Sequence, residues 1–458
     1  MKQVDSKGGR SEIKIAYIGG GSRAWAPKLF SDLALSPYVQ GEIALYDVDY
    51  EASKANIEVG RTIFGHRDAA SKFTVAAVRA LDEALDGADF VVLSIEPGPT
   101  TMRYADLEIP RKHGISQTVG DTTGPGGILR ALRTVPVYEE FAHRIMARCP
   151  SAWVINYTNP MTICTATLFA AEPTIKAFGC CHEVFSTQER LADLAALWFG
   201  IPVPHRREIS LDIAGVNHFT FATRASFGGE DLLPRLREMI AAPDFFADDT
   251  ARGLERKSAE QWFDNDGLIA YDYLRRFGVL GAAGDRHLAE FVPWYLQNEE
   301  SILRWGVVLT PYEWRVRRMT SFSRRDPNEP LLPSGEEGVD QMHALLGFST
   351  LVTNVNVPNH GQLPALPDGA VVESYAHLSE AGLRPIVSAP LPELLASHVR
   401  HISQIQQTTL EAARRKDRDL AFQALLCDPL VRIPTDEARR MFDEMLVYVK
   451  DYLPGWKV

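Results

Sequence analysis

This sequence predicts an α/β fold: a doubly wound parallel sheet over residues 13–204, then an α+β domain over residues 205–458. Three observations predict it. Short apolar, β-branched runs alternate with helical stretches through the first part of the chain, the rhythm of successive βαβ units. The first run stops at Gly19-Gly20-Gly21, and a helical pattern begins directly after it. Near Val203-Pro204-His205 the composition changes, and the segments beyond it alternate like antiparallel strands or run long and helical. Together these describe a Rossmann-type N-terminal half with a mixed C-terminal half.

Taken in order, residues 1–12 are polar and read as a loose tail without the apolar core of a signal peptide. Ile13–Ile18 is continuous and β-branched, as a strand buried on both faces requires. A helix is expected over Ala26–Leu35 and a strand over Glu42–Tyr46, ending at Asp47 and Asp49. Helix Glu51–Phe64, strand Phe73–Ala77, short helix Ala80–Leu85 and strand Phe90–Ser94 follow. A long helix over Ile128–Met146 leads to the strand Trp153–Asn156 and a turn closed by Pro160, and Ile175–Cys180 is the sixth strand. Beyond the boundary, Arg207–Ala214 and Phe219–Ala225 alternate as a strand pair around Val216-Asn217-His218. Helices are expected at Arg235–Ile240, Ala259–Arg276, Asp340–Leu346, Leu391–Arg415 and Asp436–Asp451, strands at Thr350–Asn356 and Ala370–Ser374, and a long loop at Asp326–Glu336.

With 458 residues, 45% hydrophobic and 23% charged, the chain has the composition of a globular enzyme. Its net charge of −11 argues against a nucleic-acid partner. No apolar run approaches the length of a membrane span, so no membrane partner is expected. The five cysteines, at 149, 164, 180, 181 and 427, are an odd number without framework spacing, as in a reducing cytoplasm. Cys180 and Cys181 are neighbours whose side chains point to opposite faces of an extended chain, which leaves at least one thiol free.

Gly19, Gly21 and Ala24 fit the G-x-G-x-x-G/A pattern, with Ser22 inside it. Gly19 permits the tight turn, Gly21 a close approach of backbone to a pyrophosphate, and the helix start supplies amide donors to the anion. Asp47 and Asp49, at the end of the second strand, are placed to accept from ribose hydroxyls, which favours NAD over NADP. The alternative is a plain glycine turn with two capping aspartates.

Cys181 and His218 end different elements, and both can face the cleft beside a nicotinamide. Thiolate and imidazole can hold a divalent metal with positions open for substrate oxygens. Two ligands alone are a weak signal, since lone cysteines and histidines usually serve the core. The glycine-rich stretch from Gly120 to Gly127 precedes the long helix and contains Asp121, a helix cap or a group facing a ligand. Arg130 and Arg133 lie on the first turns of that helix and are candidates for anion recognition. Asn156 and Asn159 flank the turn before Pro160, and Asp285 with Arg286 and His287 forms the best acid–base group of the second half.

In this order these segments resemble the family 4 glycoside hydrolases: the glycine loop, Gly120 to Gly127, Asn159-Pro160, Cys181-His182-Glu183-Val184, Val216-Asn217-His218 and the late Asn356-Val357-Pro358-Asn359. The resemblance spans nearly the whole chain and implies a fold related to lactate and malate dehydrogenases. It implies NAD and a divalent metal, usually manganese, held by Cys181 and His218. The implied reaction is oxidation at C3 of the sugar, loss of the C2 proton, elimination of the C1 substituent, addition of water and return of the hydride, an exception to two-carboxylate hydrolysis. Under the resemblance Asn159 contacts a substrate hydroxyl and Asp121 assists the leaving group. Asp285 is the C2 base, with Tyr271 and Tyr273 in reserve.

Residues after the ligand cysteine follow substrate class in this family, and Cys181-His182-Glu183-Val184 resembles the α-galacturonidase subgroup. His182, Glu183, Arg286 and His287 are thus expected at the substrate, with Arg286, Arg130 or Arg133 receiving a C6 carboxylate. An α-glucuronide or a neutral α-galactoside or α-glucoside is the alternative substrate, and a simple NAD-dependent sugar or hydroxy-acid dehydrogenase the alternative activity. A dimer or tetramer is implied by the same resemblance.

Overall fold

Strand β1 (Ser11–Ile18) lies between β2 (Val39–Tyr46) and β4 (Phe90–Leu93), parallel to both. β3 (Phe73–Val78) extends the sheet beyond β2, while β5 (Trp153–Asn156) and β6 (Lys176–Gly179) extend it beyond β4, all parallel. The order β3-β2-β1-β4-β5-β6 reverses direction between β1 and β4, the switch point at which such sheets bind ligands. The computed structural model describes residues 10–247, 254–255, 261–320, 326 and 328–457. Residues 1–9 of the expected tail lie outside these, and Ser11 and Glu12, also expected in the tail, pair with Val39 and Gln40 in the sheet.

Alternation explains why β1 is apolar throughout. Ile15 and Tyr17 enter one core cluster, and Ala16 and Ile18 enter another on the opposite face. The helix Trp25–Leu35 buries Ala26, Leu29, Phe30, Leu33 and Ala34, a stripe at helical spacing. The helix Tyr50–Phe64 starts where the Asp49 carboxylate accepts the Ala52 N–H. The long helix covers Gly124–Arg148, one turn earlier than its apolar pattern indicated, because the small residues ahead of Ile128 already adopt the helix.

The second half joins the same sheet rather than building one of its own. Its strands are β7 (Ile209–Val216), β8 (Phe219–Phe227), β9 (Glu230–Asp231), β10 (Leu280–Gly281), β11 (Leu351–Pro358), β12 (Val371–Ser379) and β13 (Gly382–Pro385). β11 pairs antiparallel with β6 through Asn356 and Gly179, so the sheet runs on as β6-β11-β12-β7-β8-β10. One apolar cluster accordingly contains Ile155 and Phe178 from the first half with Met342 and Val355 from the second.

Helices that the sequence did not lead us to expect include Met161–Ala171, Glu183–Phe199, Glu299–Arg304, Tyr312–Thr320 and Arg418–Cys427. Where a helix was expected over Ala259–Arg276, residues 261–267 are irregular and the helix begins at Leu268, since Gly267 (φ +78°) breaks the chain direction. Residues 259–260 of that expectation lie outside the described residues. The described residues of Asp326–Glu336 carry no helix or strand, as expected. No helix among the described residues is long and apolar enough to cross a membrane.

Candidate active site

The glycine loop hangs between β1 and β2. Tyr46 O accepts the N–H groups of Gly19 and Gly20, both at 2.9 Å, and Gly19 adopts φ +94°. A Cβ at Gly19 would lie 2.0 Å from Ser94 O, and one at Gly21 would lie 2.9 Å from Asp47 Oδ2. Only glycine lets the loop lie this close to both strands. Asp47 Oδ2 accepts the Gly21 N–H at 2.9 Å, whereas Asp49 caps its own helix through Ala52 at 3.1 Å. Of the two aspartates left open by the sequence, Asp47 is therefore the one bound to the loop. Asn56, which the sequence did not single out, is fully buried and donates to Gly20 O at 2.7 Å and Ser22 O at 2.9 Å. No side chain of Ala24 caps the helix that follows; its first amide, that of Trp25, donates to Ser22 Oγ at 3.2 Å, and Pro27 has none.

The loop carrying Asp121 is held from outside. Glu290, 1% exposed, accepts the N–H of Val119 at 2.6 Å, that of Gly120 at 3.0 Å and the Thr118 hydroxyl at 2.9 Å. Asp428 accepts the Gly124 N–H at 2.9 Å and the Thr123 hydroxyl at 3.2 Å. Asp121 itself takes the Thr122 hydroxyl at 2.7 Å and the Asn159 amide at 3.3 Å. Burial would raise its carboxyl, but His287, Arg130 and His218 hold it below the usual carboxylate range.

At the β7–β8 turn His218 adopts φ +66°, a left-handed conformation that directs its ring into the cleft. The ring stacks on His287 with centroids 3.7 Å apart, and its Nδ1 is 2.9 Å from Thr122 Oγ1. Asp121, His218 and His287 offer ligand atoms that all lie within 4.8 Å of one another. A carboxylate beside imidazoles suits a divalent cation that takes oxygen as well as nitrogen, so this donor set fits manganese better than thiolate and imidazole alone. Burial, with the charge of His287, pushes His218 down to about 3, which keeps its imidazole neutral and able to ligate.

Cys181 lies outside that group of three. Its thiol is buried, faces the Asn217 side chain and the Glu183 N–H, and is pushed well up by burial and then by Glu373 and Glu183. Glu183 accepts the Gly284 N–H at 2.6 Å and stands 3.7 Å from His287 Nε2. Burial would raise its carboxyl, but His287, His182 and His218 hold it at about 2. His182 stays partly exposed and packs on Trp25, centroids 5.4 Å apart.

The arginines correct the sequence-based expectation. Arg286 is buried and engaged with the protein itself, donating to Trp262 O, Val308 O at 2.7 Å, Thr118 O at 2.6 Å and Thr310 Oγ1 at 2.9 Å. It braces three segments. Arg133 forms a buried bidentate pair with Asp106 at 2.9 and 2.8 Å, and Arg130 donates to Asn159 O and Glu96. Tyr273 is fully buried among Phe219, Phe221, Phe277 and Tyr295, and burial pushes its hydroxyl well up. Tyr271 packs on Phe245 with its hydroxyl also raised by burial. Asp285, 2% exposed, accepts the Ala270 N–H at 3.0 Å and is raised by burial to about 6 against the pull of Arg190.

Sequence profiles of the Family 4 glycosyl hydrolase and of its C-terminal domain match residues 14–197 and 213–431. The chain is 45% identical over 471 residues to the α-galacturonidase of Thermoanaerobacterium saccharolyticum, covering 100% of both. The solved Bacillus subtilis lplD chain superposes with TM-score 0.84 at 40% identity, over 95% of this chain and 100% of that one. A gut-microbial 6-phospho-α-glucosidase, solved in complex with NAD and Mn²⁺, shares the fold at TM-score 0.75 and 20% identity, over 98% of this chain and 100% of that one. The protein belongs to the family 4 glycosyl hydrolases.

Proposed function

We propose that this protein is an NAD- and metal-dependent glycosidase that cleaves α-galacturonides. The observation that carries it is the meeting of Asp121, His218 and His287, whose ligand atoms lie within 4.8 Å of one another, with Glu183 3.7 Å from His287. Full-length identity of 45% to an α-galacturonidase supports the sugar. Gly19, Gly21, Ser22, Ala24 and Asp47 would hold NAD, with Asp49 near the adenosine end; Cys181 and His218 would hold manganese, with Asp121 as a further oxygen donor. Bound there, the two would supply a hydride acceptor and a Lewis acid beside the C2 carbon.

The chain's own groups do the remaining work. Asp285, at about 6, is ionised at neutral pH yet basic enough to remove a carbon-bound proton, the balance general-base catalysis favours. Asp121 is held as a carboxylate by its cationic neighbours and would accept a hydrogen bond from a hydroxyl group beside the departing oxygen. Asn159 Oδ1 and His287 Nδ1 are buried without hydrogen-bond partners, which supports both as contacts to sugar hydroxyls. His182 and Glu183 line the same side, Glu183 fixed by the Gly284 amide. The free buried thiols support a reducing cytoplasm, and family resemblance a dimer or tetramer that size-exclusion with light scattering would read.

The test is a panel of nitrophenyl glycosides with NAD, Mn²⁺ and thiol. Release from the α-galacturonide alone among the sugars is expected. Turnover of only neutral sugars or glucuronide would reassign the substrate, and stoichiometric NADH without cleavage would make the protein a dehydrogenase.

A further inference from the structure

A buried sugar carboxylate needs a cation, and Arg130, Arg133 and Arg286 are each committed to groups of the protein. Arg190, whose buried Nη1 lacks a hydrogen-bond partner, already has the Asp285 carboxyl facing it. Arg315, on the helix Tyr312–Thr320, is different. It is 5% exposed, donates through Nη2 to Thr118 O, and has a buried Nε without any hydrogen-bond partner. It forms no ion pair with a carboxylate among the described residues.

Thr118 places this guanidinium on the loop that carries Asp121, and the same carbonyl accepts from Arg286. The guanidinium groups of Arg103, Arg130, Arg286 and Arg315 stand among the carboxyls of Glu96, Glu290, Asp121 and Glu183, and none of these carboxyls is an ion-pair partner of Arg315. Glu96 is shared by Arg103 and Arg130, and Glu290 is engaged with the loop amides. Burial pushes the Glu290 carboxyl up. Burial and the neighbouring Arg103 lower Arg315 only to about 10, so it stays cationic at neutral pH. An unpaired cation in so dry a place is unfavourable until an anion joins it.

We propose that Arg315 determines specificity by receiving the C6 carboxylate of the uronide, an inference that rests on the α-galacturonide reading above. A carboxylate delivered beside Asp121 supplies the ion-pair partner that Arg315 lacks, and a neutral sugar leaves it unpaired. Discrimination against neutral sugars thus follows from an uncompensated buried charge.

The test uses the full-length enzyme loaded with NAD and Mn²⁺, and calorimetric binding of galacturonate and of its neutral C6 methyl ester to wild type, Arg315→Met and Arg315→Lys. Wild type is expected to prefer the acid, Arg315→Met to lose about 10- to 100-fold in acid affinity with little change for the ester, and Arg315→Lys to keep most of the preference. Equal losses for acid and ester, or an Arg315→Met variant that keeps the preference, would overturn the inference while leaving galacturonide cleavage by wild type intact. Wild type that neither cleaves galacturonide nor binds galacturonate would instead remove the reading on which the inference rests.

Discussion

Replacing Glu290 should dislocate the loop that carries Asp121. Its carboxylate accepts from Val119, Gly120 and Thr118, at 2.6, 3.0 and 2.9 Å, in a place that is 1% exposed. Glu290→Ala leaves the two backbone donors unpaired, while the Thr118 hydroxyl keeps Arg286 O as acceptor. Each unsatisfied buried donor costs roughly 1–3 kcal/mol, and water entering the vacated space recovers part of it. A net loss of about 2–4 kcal/mol is expected. Glu290→Gln keeps one acceptor oxygen and the volume, but turns an NH₂ toward the Gly120 amide 3.2 Å away, and its neutrality relieves the burial of charge. Its loss should be about 1–2 kcal/mol. Chemical denaturation followed by circular dichroism gives the stabilities, and kcat of the folded fraction gives the position of Asp121, expected to fall about 10- to 100-fold in Glu290→Ala. A Glu290→Ala protein with wild-type midpoint and wild-type kcat would refute this account of the loop.

Three further outcomes are expected. With Asp285 as base, kcat/KM should decline as pH falls through about 6, and Asp285→Asn should lose activity roughly 10²- to 10⁴-fold. Because its folded carboxyl is raised from 3.8 to about 6, the ionised form opposes folding above that window and the penalty vanishes below it, so Asp285→Asn should be more stable at pH 8 by roughly 3 kcal/mol and unchanged near pH 3; a less stable variant would contradict this. Cys181→Ser and His218→Ala should each weaken Mn²⁺ binding, read by electron paramagnetic resonance, at least about tenfold. Full metal affinity in Cys181→Ser would confine the ion to the Asp121, His218 and His287 group. Asn56→Ala, which frees Gly20 O and Ser22 O, should weaken NAD about tenfold in a fluorescence titration without altering the Mn²⁺ affinity.

Local signals carried the sequence reading a long way. The glycine loop, the capped helix after Asp49 and the strand faces of β1 follow from residues a few positions apart, and each lies where expected. Cys181 was placed at a strand end and His218 at a hairpin turn by the same kind of pattern. Contacts between distant residues were not legible. Glu290 meets Gly120 across 170 positions and Asp428 meets Gly124 across 304, and nothing local to either acid marks it. Arg286 looked free beside Asp285, but three carbonyls and a hydroxyl from distant segments claim it. The continuous sheet depends on the pairing of Asn356 with Gly179, which no alternation in either strand announces. Glu183–Phe199 could have been found, since Val184, Leu191, Ala192 and Ala195 recur at helical spacing, while Met161–Ala171 is apolar on nearly every side and offers no periodicity.

The central claim is that a hydrolase uses NAD to make the C2 proton of its sugar removable. Hydrolysis of an α-galacturonide in heavy water, with NAD and Mn²⁺ present, tests it most directly by mass spectrometry and proton NMR of the product. Deuterium at C2 of the released galacturonate, lost together with all turnover when NAD is withheld, is the predicted result. A product with its C2 hydrogen fully retained would contradict the elimination route.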